Sequence, residues 1–134
     1  MSSLKAFLNP IKPENKEVII SDRFQEDGKP VPFVIRPITQ KENELLVKKH
    51  MKKDKKGNEF LDRINYTYDL VANSVVFPDL KNAELQRAYG VLGEIELLKV
   101  MLLAGEYAEL AQQVQKLSGL DIDINEEIEE VKNW

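Results

Sequence analysis

Apolar residues recur at helical spacing through the second half of the chain. Ile95, Leu98, Met101 and Leu102 fall on one side of a helix, and Tyr107, Leu110, Ala111 and Val114 on one side of the next. Gly90, Gly93 and Gly105 cut the stretch into runs far below the roughly 18 apolar residues of a membrane span. The spacing predicts helices over about 94–103 and 106–118, with Gly119 closing the second. Upstream, Thr39-Gln-Lys-Glu42 has the form of a capping box and opens a helix through Leu45, Leu46 and Val47 toward Lys53, with Gly57 ending it. A second helix is predicted from Asn58, with Phe60, Ile64, Tyr68, Val71 and Val75 on one stripe and Leu61 beside it. Pro78 stops it, and Asn82 caps a short helix that runs to Tyr89.

Alternation and β-branched runs mark the first third. Glu17 to Ser21 and Pro32 to Pro37 are predicted strands, joined through Glu26-Asp27-Gly28-Lys29, where Asp-Gly accepts a hairpin turn. Pro30 and Pro32 suit an exposed edge, so this hairpin is expected to lie against helices or to pair with another chain. The tail is expected to form a last helix capped by Asn125, with Ile128 and Val131 on one side. The predicted fold class is α+β and mostly α-helical: an N-terminal β-hairpin followed by a bundle of about five short helices. One domain over 1–134 is expected, divided into an arm and hairpin (1–38), a helical core (39–119) and an acidic tail or helix (120–134).

Composition changes this picture little. The 134 residues are 43% apolar and 31% charged, ordinary values for a soluble domain. There is no cysteine, so no disulfide or zinc-thiolate site is expected and a reducing cytoplasm is the default compartment. Met1 to Pro10 lacks the apolar core of a secretion signal, and no membrane is expected as a partner. A net charge of −4 argues against nucleic acid. That charge is uneven: residues 41–56 hold seven lysines against Glu42, Glu44 and Asp54, and residues 121–132 hold six acids against Lys132. Attraction between these regions, together with the hairpin edge, predicts weak self-association. The lysine cluster has neither arginine nor interleaved aromatics, which separates it from a nucleic-acid surface.

Reactive chemistry is nearly absent. His50, the single histidine, stands among lysines and is expected on the surface rather than in a metal site. Glu94 and Glu96 do not share a helix face, and Gly90-Val-Leu-Gly93 lacks the Lys-Ser/Thr of a phosphate loop. No nucleophile–base pair is visible, so neither an enzyme, a cofactor nor a metal is expected.

Aromatic and apolar positions carry the candidate site instead. Tyr68 and Tyr107 are assigned first to the core, whereas Tyr89 and Trp134 are expected partner contacts. Met101, Leu102 and Leu103 are consecutive and point around a helix, so one face cannot bury all three. The candidate partner-binding residues are therefore Tyr89, Leu102, Leu103, Tyr107 and Trp134.

Several segments together carry a family resemblance. They are Leu4-Lys-Ala-Phe-Leu-Asn-Pro10, Asp27-Gly-Lys-Pro30, Phe33-Val-Ile-Arg-Pro-Ile-Thr39, Phe77-Pro-Asp-Leu80, Ala83-Glu-Leu-Gln-Arg-Ala-Tyr-Gly90, Met101-Leu-Leu-Ala-Gly-Glu-Tyr107 and Glu130-Val-Lys-Asn133. In this order they resemble the XkdN-like tail assembly chaperones of phages and defective prophages of Gram-positive bacteria. The family pattern often has proline before Gly-Glu-Tyr, where this chain has Ala104. The resemblance implies a small protein of the host cytoplasm that coats the tape measure protein, keeps it soluble, helps tail tube subunits polymerise around it, and leaves before the virion is finished. In many long-tailed phages a frameshifted, extended form recruits the tube protein. The alternative is a small structural or connector protein of a phage tail, which would stay in the particle. A DNA-binding regulator would need a basic recognition helix, and none is visible.

Overall fold

A computed structural model of the chain describes residues 3–120. In chain order its first elements are α1 (Leu4–Leu8), β1 (Lys16–Val18), β2 (Gln25–Glu26), β3 (Lys29–Pro30), β4 (Phe33–Ile35) and α2 (Gln40–Lys49). There follow β5 (Met51–Lys53), β6 (Glu59–Leu61), α3 (Arg63–Ser74), β7 (Val75–Phe77), α4 (Ala83–Ala88), α5 (Glu94–Met101) and α6 (Ala104–Leu117).

The main sheet is antiparallel in the order β1-β4-β7. β1 and β4 pair as Lys16↔Ile35 and Val18↔Phe33, and β2 and β3 form a small inner hairpin turning at Asp27 and Gly28. Asp27 has φ 54° and Gly28 φ 78°, the left-handed geometry that this Asp-Gly pair tolerates. Phe33 and Ile35 face the core, and Val34 faces outward.

Two short strand regions overturn the predicted architecture of one hairpin and a helical bundle. Residues 51–61, expected to be helical on both sides of Gly57, form the hairpin β5–β6 with Met51↔Leu61 and Lys53↔Glu59 opposite each other. The Asp54 carboxylate accepts the backbone N–H groups of Lys56 and Asn58, each at 2.9 Å. Gly57 closes the turn at φ 84°. Side chain–backbone bonding of this kind competes with helix and wins here. Val75 to Phe77, expected as the end of a helix, leave α3 as a strand and pair with β4. β-Branched Val75 and Val76 suit a sheet better than a last helical turn. Among the described residues the fold is therefore six helices and three small sheets, with strands in the middle of the chain as well as near its start. β4 is also a central strand rather than an exposed hairpin edge, because β7 covers its far side. Its flanking Pro32 and Pro37 bound the strand without interrupting the ladder.

α3 lies at the centre and packs against α2, α5 and α6. Ile35, Leu70, Val71, Leu97, Leu98, Leu110 and Val114 are fully buried around it. Polar ties lock the elements together. The Thr39 hydroxyl accepts the Glu42 N–H at 3.3 Å, and the Glu42 carboxylate accepts the Thr39 N–H at 3.2 Å. Arg36 forks onto the same carboxylate at 3.1 and 2.6 Å and donates to the Asn73 carbonyl, joining β4, α2 and α3. The Arg36 hydrogen bonds, with the Thr39 N–H, hold the Glu42 carboxyl at about 2. His50 is not a surface histidine: its Nε2 lies 2.9 Å from the Asp69 carboxylate, and both side chains are largely buried. Burial opposes ionisation of Asp69, but hydrogen bonds from Lys49 and His50 keep its pKa below the usual value.

The acidic tail, its expected Asn125-capped helix and Trp134 lie outside the described residues.

Candidate partner-binding surface

α3 and α6 run against each other, and their exposed margin forms an apolar groove of about 310 Å³ lined by Arg63, Ile64, Thr67, Tyr68 and Tyr107. Ile64 and Tyr68 sit one turn apart on α3, so their side chains share a face. Across the groove, Tyr107 stacks on Tyr68 with ring centroids 4.6 Å apart and planes inclined by 27°. Lys99 Nζ lies 5.0 Å from the Tyr68 ring centroid, a cation–π geometry. Tyr68 and Tyr107 are thus half-buried groove walls, and Tyr107 also packs against the core.

Leu103 stands immediately before α6, and the Tyr107 N–H donates to its carbonyl at 2.9 Å. That places Leu103 one turn from Tyr107. Glu106 accepts the Leu103 N–H at 2.8 Å, the half of a capping box that needs no hydroxyl at the cap. Leu103 is 60% exposed, whereas Leu102 is buried with Met101 in the core. Of the three consecutive apolar residues, only Leu103 therefore offers surface. Ile64, 72% exposed, completes the apolar margin. Ile64 belongs to the stripe Phe60–Val75, where its periodicity reads as core, and only the path of α3 shows that it points outward.

Tyr89 is elsewhere. It closes a second apolar cleft, of about 200 Å³, with Phe24, Val31, Pro32, Phe33, Phe77, Pro78, Leu85 and Met101. The candidate residues thus divide: Leu103 and Tyr107 come together, Tyr89 faces a separate cleft, Leu102 is internal, and Trp134 lies outside the described residues.

Neither surface brings together groups for catalysis. Among the described residues no cluster of three His, Cys, Asp or Glu side chains is arranged to hold a metal ion. No helix among them is long and apolar enough to cross a membrane.

Comparison with known proteins gives this geometry a context. Residues 4–132 match the family described as phage XkdN-like tail assembly chaperone protein. The chain is 30% identical over 129 residues to the phage-like element PBSX protein XkdN of Bacillus subtilis (strain 168), with 92% of this chain and 87% of that protein covered. It is 32% identical over 129 residues to the protein YqbN of the same organism, with the same coverage. The crystal structure of YqbN superposes with a TM-score of 0.73 at 29% identity, covering 88% of this chain and 96% of that one.

Proposed function

The chain belongs to the phage XkdN-like tail assembly chaperone family, and from that premise we propose that it binds the tape measure protein and keeps it soluble. In this account it also helps recruit tail tube subunits, acts in the host cytoplasm, and is absent from the finished virion.

The observation that supports this best is the groove between α3 and α6. Ile64, Tyr68 and Tyr107 present apolar and aromatic surface on two packed helices, a form that accepts the apolar face of an amphipathic helix, and Leu103 stands exposed one turn before Tyr107. Arg63 lines it, and Lys99, paired with Glu96 at 3.4 Å, lies over the Tyr68 ring. One such groove is small. A long helical partner offers many equivalent segments, and many copies bound side by side cover it by avidity rather than by one strong contact.

The experiment is a pull-down from cells that co-express the chain with its cognate tape measure protein. Wild type retains that protein; Leu103→Asp and Ile64→Asp keep their circular dichroism spectra and retain at least tenfold less, a loss of about 1.4 kcal/mol in binding. Full retention by both variants removes the groove from the account. Absence of binding by wild type removes the function.

A further inference from the structure

We propose that the acidic residues 121–134 dock on the N-terminal arm of their own chain. This does not rest on the tape measure reading, since it concerns only the chain itself.

The arm lacks cover among the described residues. Residues 3–17 are exposed throughout, and α1 contains no buried residue. Leu4, Phe7 and Leu8 are spaced i, i+3, i+4 on one face of α1, and Ile11 follows just beyond Pro10. Phe7 is 82% and Ile11 97% exposed. Scattered apolar residues on a surface are ordinary, but four in one short stripe mark a contact surface.

The backbone brings the start of the acidic segment to this arm. β1 and β4 are antiparallel with Lys16 opposite Ile35, so the chain before Lys16 runs the way β4 continues, toward Ile38. The Ile38 N–H donates to Ser118 Oγ at 2.8 Å, and Lys16 Nζ donates to Gln113 Oε1 at 3.0 Å. The root of the arm and the C-terminal end of α6 therefore lie side by side. α6 closes in a Schellman turn. The Leu120 N–H donates to the Gln115 carbonyl at 2.7 Å and the Gly119 N–H to the Lys116 carbonyl at 3.1 Å, with Gly119 at φ 72°. That turn takes the chain off the helix axis just before residue 121. Extended, a segment the length of 121–134 reaches about 46 Å, against roughly 26 Å from Lys16 back to Leu8.

Charge selects the occupant. Residues 3–12 carry Lys5 and Lys12 and no acid, and neither lysine has an ion-pair partner among the described residues. Lys116 adds a cation in the last turn of α6, and Glu14 is the one acid between the stripe and Lys16. Residues 121–134 carry six acids against Lys132, interleaved with Ile122, Ile124, Ile128, Val131 and Trp134. They thus offer both the charge and the apolar side chains that the arm lacks. The lysine-rich stretch 48–56 is the competing site, but it is largely answered already. Lys48, Lys49 and Lys52 pair with Glu44, Asp69 and Asp62 at 3.2, 2.8 and 2.8 Å, and Lys53 stands opposite Glu59. Adjacent roots hold the two segments at an effective concentration of about 1 mM, so the contact forms within one chain before it forms between two. The attraction expected between copies is, in this account, made inside each copy.

Trp134 is the sole tryptophan of the chain, so acrylamide quenching of its fluorescence in the full-length protein tests this. The wild-type quenching constant should be at least about threefold below that of Phe7→Asp and of Ile11→Asp, the ratio for a segment docked roughly two-thirds of the time. Both positions are exposed, so both variants should keep the wild-type circular dichroism spectrum. Lys56→Glu, in the competing stretch, should quench like wild type. The protection should be equal at about 1 µM and at about 100 µM, as a contact within one chain requires. Equal quenching of wild type and both arm variants overturns the proposal, as does loss of protection in Lys56→Glu. Protection that appears only at the higher concentration assigns the contact to a second copy and overturns it equally.

Discussion

Arg23 and Glu106 join the connection between β1 and β2 to the first turn of α6. Arg23, between β1 and β2, donates from Nε to Glu106 at 3.0 Å and from Nη2 to the same carboxylate, while Nη2 also reaches the Met101 carbonyl at 3.1 Å. The other duty of Glu106 is to accept the Leu103 N–H at the start of α6. The pair therefore fixes the strand region, the α5–α6 corner and the backbone that presents Leu103.

The Arg23 hydrogen bond, with contributions from Ser21 and the Leu103 N–H, lowers the Glu106 carboxyl from 4.5 to about 2. The folded value lies below the unfolded one, so this contribution is complete above pH 4.5 and is lost as pH falls toward 2. Glu106→Gln should be less stable than wild type at neutral pH, and the difference should close between pH 4.5 and 2. Urea denaturation across that range checks it; a gap that does not change with pH contradicts the account.

Tyr107 presents the opposite case. Its hydroxyl is buried with no hydrogen-bond partner among the described residues, and that burial raises the phenol pKa. An unsatisfied buried hydroxyl costs about 1–3 kcal/mol. Tyr107→Phe keeps the stack on Tyr68 and removes that cost, so thermal denaturation should show an unchanged or higher Tm. A clear fall in Tm would mean that the hydroxyl has a partner.

Glycine-to-alanine exchange should change sign with position. Gly57 has φ 84° and no atom within 4 Å of an added Cβ, so the cost there is purely that of the backbone, about 1 kcal/mol. Gly105 lies inside α6, also in open space, and alanine there should stabilise by about 0.5 kcal/mol. Chemical denaturation of both variants measures the pair, and two shifts of the same sign would contradict it.

How much of this the sequence disclosed depended on whether a local signal was complete. Thr39 and Glu42 carry both halves of a capping box, and α2 starts there. Asn82 accepts the Leu85 N–H at 2.9 Å, as expected of a cap. Lys16–Val18 and Phe33–Ile35 do pair; the second lies inside the predicted strand Pro32–Pro37, whereas the first overlaps the predicted Glu17–Ser21 only at Glu17 and Val18. The β5–β6 hairpin was hidden because its strands are three residues long and Met51-Lys-Lys53 shows no alternation. Phe60 also falls in phase with Ile64 and Tyr68, which extended the helical stripe backwards through a strand. The groove was half legible. Leu103 was singled out by crowding around a helix, but which of Met101, Leu102 and Leu103 faces outward depends on where α5 ends and α6 begins. Ile64 and His50 depended wholly on packing: one periodic residue points out, and one lysine-flanked histidine points in toward Asp69.

The most direct test of the proposed function is the solubility of the tape measure protein expressed with and without this chain. The account predicts that the tape measure protein pellets when expressed alone and stays in the supernatant with wild type. A tape measure protein that is equally insoluble in both cases would contradict it.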